Sequence, residues 1–456
     1  MARPPRAVFV TLLAMLMSGS LCVGLVSGAL AVPGSVQAAQ QAPAVLAPAK
    51  AEGVAPTAAG VQKALAAILA DPSLGKHRGI YVYDASRGKT VFSAGTAVPF
   101  TPASTLKLLT TVSALETLGA DHTFTTKVVS AGSGSIVLVG GGDPLLATKP
   151  AANAEFPTRA TLQSLAASTA KALKAQGVAG VSLGYDASLF TGPAANANWE
   201  ANYLPEGIAA RTSALWVNEG RLSPGMAKRA DSPAQAAATA FAKLLAGYGI
   251  KVAATVRAAT APAAAKPIAQ VASPTLGQIV EYVNLHSDND GAEVLLRHVG
   301  LATNNGGSYV GGVKGLRATL TKLGLDVSKA TIYDGSGLTR ANKVPLELLA
   351  GAVRVAASED HPELRHLLTG LPVAGFSGSL EDRFAAPGTS TGTGLVRAKT
   401  GTLTGVHSLA GLARDRTGTL LVFAIASDSV PVPKTLDARA ALDRAAAALA
   451  NCGCAV

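Results

Sequence analysis

The stretch at residues 100–107, Phe-Thr-Pro-Ala-Ser-Thr-Leu-Lys, constrains the fold more than any other part of the chain. Thr101 is a favoured N-cap and Pro102 suits the first position of a helix, so a helix is predicted to begin here. Ser104 and Lys107 are three residues apart and would share one face of that helix. A neutral lysine amine beside a serine hydroxyl can accept its proton, and the serine then becomes a usable nucleophile.

The same Ser-x-x-Lys spacing occurs at three other places in the chain: Ser73/Lys76, Ser86/Lys89 and Ser168/Lys171. The first two pairs include a glycine and resemble turns, and the third falls well inside a predicted helix. Ser104 alone stands where a helix begins, next to free backbone N–H groups and the positive end of the helix dipole. It is therefore the candidate for chemistry, although a serine in such a short motif is most often a cap or a surface residue.

The first forty residues have the pattern of an export signal. Arg3 and Arg6 precede a run of apolar and small residues at 7–32 that carries no charge. This pattern predicts a signal peptide over residues 1–39. Because the run is longer than a usual signal core, an uncleaved membrane anchor is the alternative. Residues 40–59, rich in alanine and proline, are predicted to be a linker to the folded part.

Charge and composition limit the partners of this chain. The formal net charge is +11, or 11 − 2 = +9 without Arg3 and Arg6. Aromatic residues make up only 4% and no run of five basic residues occurs, so no nucleic-acid partner is indicated. The positive charge favours an anionic envelope or wall polymer, or is a merely solvated basic surface. Membrane association is indicated only through the N-terminal apolar segment.

Two cysteines remain if Cys22 leaves with the signal, namely Cys452 and Cys454. In an oxidising compartment they can pair across a very small ring, which stabilises the fold little. A Cys-Gly-Cys metal or redox site is the alternative, but no other cysteine is present to complete one. The histidines lack metal-ligand spacing as well, so no metal or cofactor is expected.

The order of predicted elements divides the chain into three parts. Residues 60–123 contain a short helix, a hairpin of two alternating strands and the Ser104 helix. Residues 124–270 have short strands, glycine-rich loops and alanine-rich helices, and are predicted to be an inserted domain. Residues 271–456 return to the first domain with a strand pair and a closing helix at 435–450. The first and third parts together predict an α/β domain with an antiparallel sheet.

Two further motifs each occur once: Ser-Asp-Asn at residues 287–289, after a predicted helix, and Lys-Thr-Gly at residues 399–401, on a predicted strand. With Ser104 and Lys107 they form three short motifs, each in a suitable structural context. Three motifs in order are far more specific than a single Ser-x-x-Lys. Their order matches the signature Ser-x-x-Lys, Ser-Asp-Asn, Lys-Thr-Gly of enzymes with a serine nucleophile.

The first two motifs supply the groups that an acyl transfer needs. Ser104 is expected to attack a carbonyl group and to form an acyl-enzyme, with Lys107 as the base. Ser287 can pass a proton to the leaving amine. Asn289 can hold Lys107 or the substrate amide in place. These four residues are the predicted catalytic group.

The third motif, Lys399-Thr400-Gly401-Thr402, suits a peptide substrate that ends in a free carboxylate. Lys399 supplies a cation and Thr400 a hydroxyl group for that carboxylate. Because the motif lies on a predicted strand, the backbone near Thr402 can pair with an extended peptide. The N–H groups of Ser104 and Thr402 are expected to form the oxyanion hole.

With these motifs the sequence resembles the D-alanyl-D-alanine carboxypeptidase/endopeptidase family, the class C low-molecular-mass penicillin-binding proteins. The likeness runs from about residue 60 to residue 430. Three more stretches carry the resemblance: Gly-Gly-Gly-Asp143-Pro, Asp334-Gly-Ser336-Gly-Leu-Thr-Arg340-Ala-Asn342 and Leu371-Pro-Val-Ala-Gly375.

The resemblance implies a penicillin-binding-protein/β-lactamase-like fold, in which residues 60–123 and 271–456 form an antiparallel sheet with flanking helices and an all-helical cluster. It also implies peptidoglycan stem peptides as substrates and β-lactam antibiotics as inhibitors, with no cofactor. By analogy Asp143, Ser336 and Arg340 would line the pocket for the diamino-acid side chain of the stem. A turn-capping Asp143 and a loop salt bridge of Arg340 are the alternatives.

The spacing of the motifs distinguishes compact β-lactamases from related enzymes that have an inserted domain. Ser104 and Ser287 are 287 − 104 = 183 residues apart, too far for a compact β-lactamase and suitable for a family with an inserted domain. The Glu-x-x-Leu-Asn pattern that supplies the deacylating glutamate in class A β-lactamases does not occur between them, so a penicilloyl adduct is expected to turn over slowly. Carboxypeptidase and endopeptidase action both stay open. A catalytically weak wall-binding protein and a serine β-lactamase or esterase are the less favoured alternatives.

Overall fold

The computed structural model describes residues 54–153, 155–223 and 225–455. The predicted signal peptide or anchor at 1–39 and most of the predicted linker at 40–59 lie outside these residues. The helices are α1 (Ala58–Leu69), α2 (Lys107–Leu118), α3 (Leu162–Ala175), α4 (Pro233–Gly247), α5 (Leu276–His286), α6 (Asn289–Ala302), α7 (Tyr309–Lys322), α8 (Leu346–Ala356), α9 (His366–Thr369) and α10 (Thr435–Ala450). Within the described ranges no helix is both long and apolar enough to span a membrane.

The strands form two separate sheets. They are β1 (Arg78–Asp84), β2 (Lys89–Ala94), β3 (Thr125–Ser130), β4 (Ser135–Val139), β5 (Gly180–Asp186), β6 (Lys251–Val252), β7 (Arg257–Ala258), β8 (Pro267–Ala272), β9 (Val396–Leu403), β10 (Val406–Arg414) and β11 (Leu420–Ser427). The first sheet has the order β2-β1-β11-β10-β9, and the second has the order β6-β5-β4-β3-β8 with β7 paired to β5.

The five-stranded sheet is antiparallel and joins the two ends of the described chain, because β1 pairs with β11 in the register Ile80↔Ile425. Its two faces are both covered. Leu409 and Phe423 point into the core shared with α1 and α10, while Leu412 and Ala424 point into the core shared with the helical cluster. Covered faces explain why β10 and β11 are mostly apolar. The predicted antiparallel α/β domain is confirmed.

The second sheet is built entirely from residues 125–272, within one residue or two of the predicted insertion. Here β4 and β5 run parallel because α3 connects them as a crossover, whereas β3 pairs antiparallel with both β4 and β8. Leu165 of α3 and Phe241 of α4 belong to the core beneath this sheet. The domain bounds 60–123, 124–270 and 271–456 stay predictions.

The helical cluster surrounds α2, which packs against α5, α6, α7 and α8. Every residue of α2 from 107 to 115 is buried, including polar ones. The hydroxyl groups of two threonines are paired: Thr110 Oγ1 donates to Gly335 O (2.7 Å) and Thr111 Oγ1 donates to Lys107 O (2.7 Å). Because helices pack around α2, its buried residues lie on all sides of the helix and not on one stripe.

The first described helix begins earlier than predicted. Thr57 caps α1 by accepting a hydrogen bond from Gly60 N (3.0 Å), and Thr57 N donates to Cys454 O (2.8 Å). The helix therefore begins inside the stretch 40–59 that was predicted to be a linker, because its cap is at Thr57. Cys452 and Cys454 form a disulfide with their Cα atoms 5.0 Å apart, so the prediction that they can pair is confirmed.

Candidate active site

Ser104 lies on a strained turn at the entrance to α2. Ala103–Leu106 form one turn of 3₁₀-helix, and α2 itself begins only at Lys107. Ala103 has φ = 47°, in the left-handed region, which costs a residue with a side chain about 1–3 kcal/mol. The Ala103 carbonyl packs directly on Gly337, where any Cβ would overlap it. The surrounding loop thus holds the backbone just before Ser104 in an unusual conformation.

The predicted N-cap is wrong, and the reason lies in tertiary contacts. Thr101 does not cap α2, because its N–H donates to Asp428 Oδ2 (2.9 Å) and its hydroxyl accepts from Lys343 Nζ (2.7 Å). Pro102 precedes the 3₁₀ turn instead of opening an α-helix. The left-handed Ala103 separates Thr101 from the helix, so the cap cannot form.

Lys107 is held at hydrogen-bond distance from the candidate nucleophile. Its side chain is fully buried, and Nζ lies 3.1 Å from Ser104 Oγ. Nζ also lies 2.8 Å from Asn289 Oδ1 and 2.9 Å from Ser336 O. An ammonium group has three N–H donors, and these three acceptors use all of them. The lysine can therefore adopt only one position, beside the Ser104 hydroxyl.

Burial also tunes the charge of this lysine. Loss of water contact lowers the pKa of Lys107 from its usual 10.5 to about 8. The negative charges of Asp288 and Glu293 act in the opposite direction and limit the fall. A lysine with a pKa near 8 is partly neutral close to physiological pH, as a general base must be.

The second motif lies on the short link between α5 and α6. Ser287 ends α5 in a left-handed conformation (φ = 55°) and is half-buried. Asp288 caps α6 by accepting hydrogen bonds from two N–H groups of its first turn. Asn289, the first residue of α6, accepts from Lys107 through Oδ1 and donates through Nδ2 to Ile208 O (3.1 Å). Its side chain is thereby fixed from both ends.

The sequence patterns do not single out Glu293, yet it supports the lysine. Its buried carboxylate accepts hydrogen bonds from Gly335 N (2.9 Å) and Ser336 N (2.8 Å), and the carbonyl of Ser336 is the one that holds Lys107. Burial raises the pKa of Glu293 to about 8. The available signal was its position four residues after Asn289, on the same face of α6.

The loop at 334–342 is folded around the carboxylate of Asp334, which is fully buried. Oδ1 accepts from Gly337 N (3.1 Å) and Asn342 Nδ2 (2.8 Å). Oδ2 accepts from Thr339 N (2.7 Å) and Trp199 Nε1 (3.0 Å). Four donors on one carboxylate give the loop a fixed shape, and the same loop carries the Ser336 carbonyl group that holds Lys107.

The third motif lies on β9. Lys399 is fully buried and its Nζ donates to Thr400 O (3.0 Å). Burial, and next the charge of Lys107, hold the pKa of Lys399 well below its usual range. Thr400 Oγ1 lies 2.7 Å from Ser379 Oγ. An anion bound beside Lys399 would raise its pKa again, since an opposite charge favours the ammonium form.

Gly401 allows β9 to approach the Ser104 turn. A Cβ at this position would lie 2.6 Å from Pro102 O and would overlap Ser408 Oγ, so no larger residue fits without a shift of the backbone. Ser408 Oγ donates to Pro102 O (2.6 Å) and so ties the turn to the sheet. Thr402, the next residue along β9, is exposed. The close approach places the strand backbone next to the nucleophile.

The outer edge of β9 is only partly covered. Residues 372–374 run beside its first half, where Ala374 N donates to Val396 O (3.0 Å) and Ala398 N donates to Pro372 O (3.0 Å). Among the described residues no strand pairs with this edge beyond Ala398. The stretch 399–403, which contains the third motif, is therefore open to an extended peptide.

No described hydrogen bond joins Asp143 to Ser336 or Arg340, the other two residues expected in the side-chain pocket. Asp143 is buried, its Oδ1 accepts from Leu145 N (2.8 Å), and burial raises its pKa to about 7. These are the contacts of a turn-capping aspartate, and none of its described hydrogen bonds reaches Ser104 or Lys107. A substrate role for Asp143 stays a prediction without support from its contacts.

Ser336 and Arg340 both lie beside the site, though not as expected. Ser336 contacts Lys107 through its carbonyl, while its Oγ accepts from Leu338 N (3.3 Å) within its own loop. Arg340 Nε donates to Glu200 Oε1 (2.5 Å) and Nη1 donates to Thr404 O (2.9 Å), just beyond the end of β9. The loop salt bridge named as the alternative for Arg340 is therefore present.

A buried ion-pair cluster that the sequence patterns do not indicate lies behind the second motif. Carboxylate oxygens of Glu219, Asp288 and Asp290 come within 4.8 Å of one another, and burial raises the pKa of Asp288 well above its usual value. Arg229 pairs with Asp290 (2.8 Å) and Arg221 with Glu219 (3.0 Å). Because arginines already neutralise two of the carboxylates, the cluster serves as a bridge between segments without requiring a metal ion.

The antiparallel sheet, the helical cluster and the serine–lysine pair beside an open strand edge define an active-site-serine enzyme of the penicillin-binding class. The fold matches the crystal structure of penicillin-binding protein 4 (dacB) from Haemophilus influenzae, with a TM-score of 0.68, 20% identity, and coverage of 85% of this chain and 97% of that one. The model of the D-Ala-D-Ala carboxypeptidase 3 (S13) family matches residues 61–231 and 223–449. The chain belongs to this family.

Two curated relatives are similar over most of their length. Carboxypeptidase Rv3627c of Mycobacterium tuberculosis is 37% identical over 406 residues, which cover 88% of this chain and 85% of the relative. Carboxypeptidase DacB of Mycolicibacterium smegmatis is 34% identical over 456 residues, which cover 98% of this chain and 96% of the relative. The family, the fold and the enzyme class predicted from the motifs are thus confirmed.

Proposed function

We propose that this enzyme removes the terminal D-alanine from peptidoglycan stem peptides through an acyl-enzyme on Ser104. The observation that carries the proposal is the position of Lys107 Nζ, 3.1 Å from Ser104 Oγ and fixed by Asn289 and Ser336. Membership of the D-Ala-D-Ala carboxypeptidase family supports the choice of substrate. The open edge of β9 supports binding of an extended peptide beside the nucleophile.

Acylation follows from this geometry. Neutral Lys107 takes the hydroxyl proton while Ser104 Oγ bonds to the carbonyl carbon of the penultimate D-alanine. The N–H groups of Ser104 and Thr402 stabilise the oxyanion, and one such donor is worth about 2.7–4 kcal/mol in the barrier. The C–N bond then breaks, and the leaving amine receives the proton from Lys107 by way of the Ser287 hydroxyl. D-Alanine departs and the rest of the stem stays esterified to Ser104.

Deacylation uses the same groups with water as the nucleophile. The oxygen of the water attacks the ester carbonyl carbon while Lys107 accepts a proton from that water. Lys107 then returns a proton to Ser104 Oγ as the ester C–O bond breaks. The product is a stem that ends in a single D-alanine. A β-lactam would acylate Ser104 in the same way, and its ester would persist because the chain lacks the Glu-x-x-Leu-Asn pattern of class A β-lactamases. β-Lactams are therefore proposed as covalent inhibitors.

A substrate without its C-terminal carboxylate is expected to react poorly. A charge-assisted hydrogen bond to Lys399 contributes about 1.5–3 kcal/mol, so kcat/KM for a peptide ending in D-Ala-D-alaninamide should be roughly 10- to 100-fold below that of the free acid. Release of D-alanine or of D-alaninamide measures both rates. Lys399→Gln should lower the rate for the acid by a similar factor and leave the amide nearly unchanged. Equal rates for acid and amide in the unmodified enzyme would contradict this role.

Glu293→Gln is expected to slow acylation and to shift its pH dependence. The amide of glutamine offers one acceptor oxygen, so one of the two N–H groups at residues 335 and 336 loses its partner, at a cost of about 1–3 kcal/mol. Where Glu293 is ionised, around and above its own pKa of about 8, the substitution also removes a negative charge that raises the pKa of Lys107, so that pKa falls. Acylation by a β-lactam should rise with pH around 8 in the parent enzyme and around a lower pH in the variant.

The pH profile separates this positioning role from a merely structural one. A variant that is less stable but keeps the same midpoint would show that Glu293 acts only on the fold. Glu116→Gln provides the control, because Glu116 lies near the other end of α2, pairs with the exposed Lys322 and has no described contact with the site. It should leave both the rate and the midpoint unchanged.

The proposed substrate implies work in the cell envelope. Peptidoglycan lies outside the cytoplasmic membrane, and the Cys452–Cys454 disulfide fits an oxidising compartment. The export signal expected at residues 1–39 lies outside the described residues, so export remains part of the proposal.

A further inference from the structure

The six-stranded sheet has one end next to the catalytic domain and one end directed away from it. At the near end, Phe124 just before β3 stacks on His298 of α6 with ring centroids 4.0 Å apart, and His298 Nε2 lies 2.9 Å from Gly142 O. The other end is formed where β3 ends and where β4, β5, β6 and β8 begin. Strands of six residues separate the two ends by roughly 20 Å. We call this far side the distal end.

The helices that cover the sheet also finish at the distal end. α3 leads through residues 176–179 into the start of β5, and α4 leads through residues 248–250 into the start of β6. The segments that build the distal end are therefore 130–136, 171–182, 243–252 and 262–268.

These four segments carry only positive charge. They contain five lysines and no aspartate or glutamate. All five lysines are exposed, and none forms an ion pair with another described residue. The group, here called the distal lysines, consists of Lys171, Lys174, Lys243, Lys251 and Lys266. By contrast, Arg211, Arg221 and Arg229 of the same predicted insertion each pair with a carboxylate.

A cavity of about 500 Å³ opens at the distal end, between the turn after β3 and the end of α3, and Lys266 is the distal lysine that lines it. Its walls carry hydroxyl and amide groups from Ser130, Ser133, Ser135 and Gln176, together with Lys266. Leu173 and Ile136 contribute an apolar surface. The volume is within the range of sites that hold a small molecule or a few sugar units. Hydroxyls, an amide and an ammonium group over an apolar surface suit a sugar that bears acid groups.

We propose that the distal end binds an anionic polysaccharide. Positive charge without neighbouring acids attracts a polyanion, and the polar cavity offers partners to sugar hydroxyls. Tyr248 is the one aromatic residue in the four segments, so base stacking gives no reason to prefer a nucleic acid. None of the large exposed apolar side chains of the described chain lies in these segments, so no apolar anchor for a lipid surface is present.

Binding at this end leaves the catalytic residues free. The distal lysines lie at the end of the inserted sheet that is directed away from the catalytic domain, so one polymer chain can be held there while a stem peptide enters the site. Attachment to a polymer would raise the local concentration of stems near the enzyme without a change in its chemistry. This inference does not depend on the reaction proposed above.

The test compares two five-lysine variants of the full chain. In the first, all distal lysines are changed to glutamine. The matched control changes five exposed lysines elsewhere to glutamine, with the same loss of charge: Lys63, Lys89, Lys149, Lys228 and Lys329. The probe is fluorescently labelled alginate, a polymer of uronic acids, with uncharged dextran as the reference. Thermal unfolding and D-alanine release from a soluble peptide should be the same for all three proteins.

The distal variant is expected to bind alginate at least about tenfold more weakly than the parent protein, with a salt dependence reduced by about one unit of slope per lysine. The control variant should stay within about threefold of the parent. Equal weakening of both variants would show that net charge alone drives binding and would overturn the proposal. Equal binding of dextran, or binding of an oligonucleotide with the same dependence on the distal lysines, would overturn the choice of partner.

Discussion

Ser104→Ala is expected to abolish covalent labelling by a fluorescent penicillin and to reduce D-alanine release at least about 10⁴-fold, as loss of a catalytic serine does in other hydrolases. The variant removes the one oxygen that can form the acyl ester. Lys107 loses an acceptor but keeps those on Asn289 and Ser336, so its position should persist. The protein mass before and after penicillin, with the adduct mapped to a peptide, measures the effect.

A serine with the same spacing to a lysine provides the control for this experiment. Ser168 has the same spacing to Lys171 but is exposed in the middle of α3. Ser168→Ala should label like the parent protein. Labelling of a folded Ser104→Ala variant, or loss of labelling in Ser168→Ala, would remove Ser104 as the nucleophile and the proposed mechanism with it.

Replacing Lys107 with methionine is expected to slow acylation by about 10²–10⁴-fold, the usual contribution of a general base. The residual rate should also lose the rise with pH that the parent enzyme shows near the lysine pKa of about 8. Methionine fills a similar volume and removes a buried charge, which offsets part of the lost hydrogen bonding. Stopped-flow acylation at several pH values, with thermal unfolding of the same samples, measures both effects.

Two further variants complete that experiment. Lys107→Arg retains a positive charge but cannot become neutral in this pH range, so it should be inactive as well. Lys76→Met, which removes the exposed lysine of another Ser-x-x-Lys pair, should behave like the parent. A Lys107→Met variant that keeps the parent pH profile would show that another group is the base.

Much of the fold was predictable because its elements have strong local patterns. The closing helix begins and ends where its apolar spacing indicates, and β10 and β11 follow the apolar runs on either side of their turn. The start of α2 was not predictable in the same way. Thr101 and Pro102 fit a helix start locally, but Asp428 and Lys343, more than two hundred residues away, bind Thr101 and force a different turn.

Sequence patterns could indicate the candidate-site residues that belong to the three short motifs. Lys107 lies beside Ser104, as their spacing of three residues indicated, and Asn289 contacts Lys107, one of the two roles expected for it. Glu293 was missed because its effect on Lys107 passes through the backbone of another loop, and Asp143 was included on resemblance alone. Contacts made by backbone carbonyl and N–H groups do not depend on which amino acid carries them, so sequence patterns do not reveal such contacts.

The pairing of β1 with β11 sets the time at which the enzyme can first act. These strands are 420 − 84 = 336 residues apart, so the sheet cannot close until nearly the whole polypeptide has been made. A nascent chain that has reached α8 already contains Ser104, Lys107 and Asn289, yet it lacks β9 with Lys399 and the central strands of the sheet. The site is therefore completed last, and a polypeptide that is still being made has no finished site at which Ser104 could be acylated.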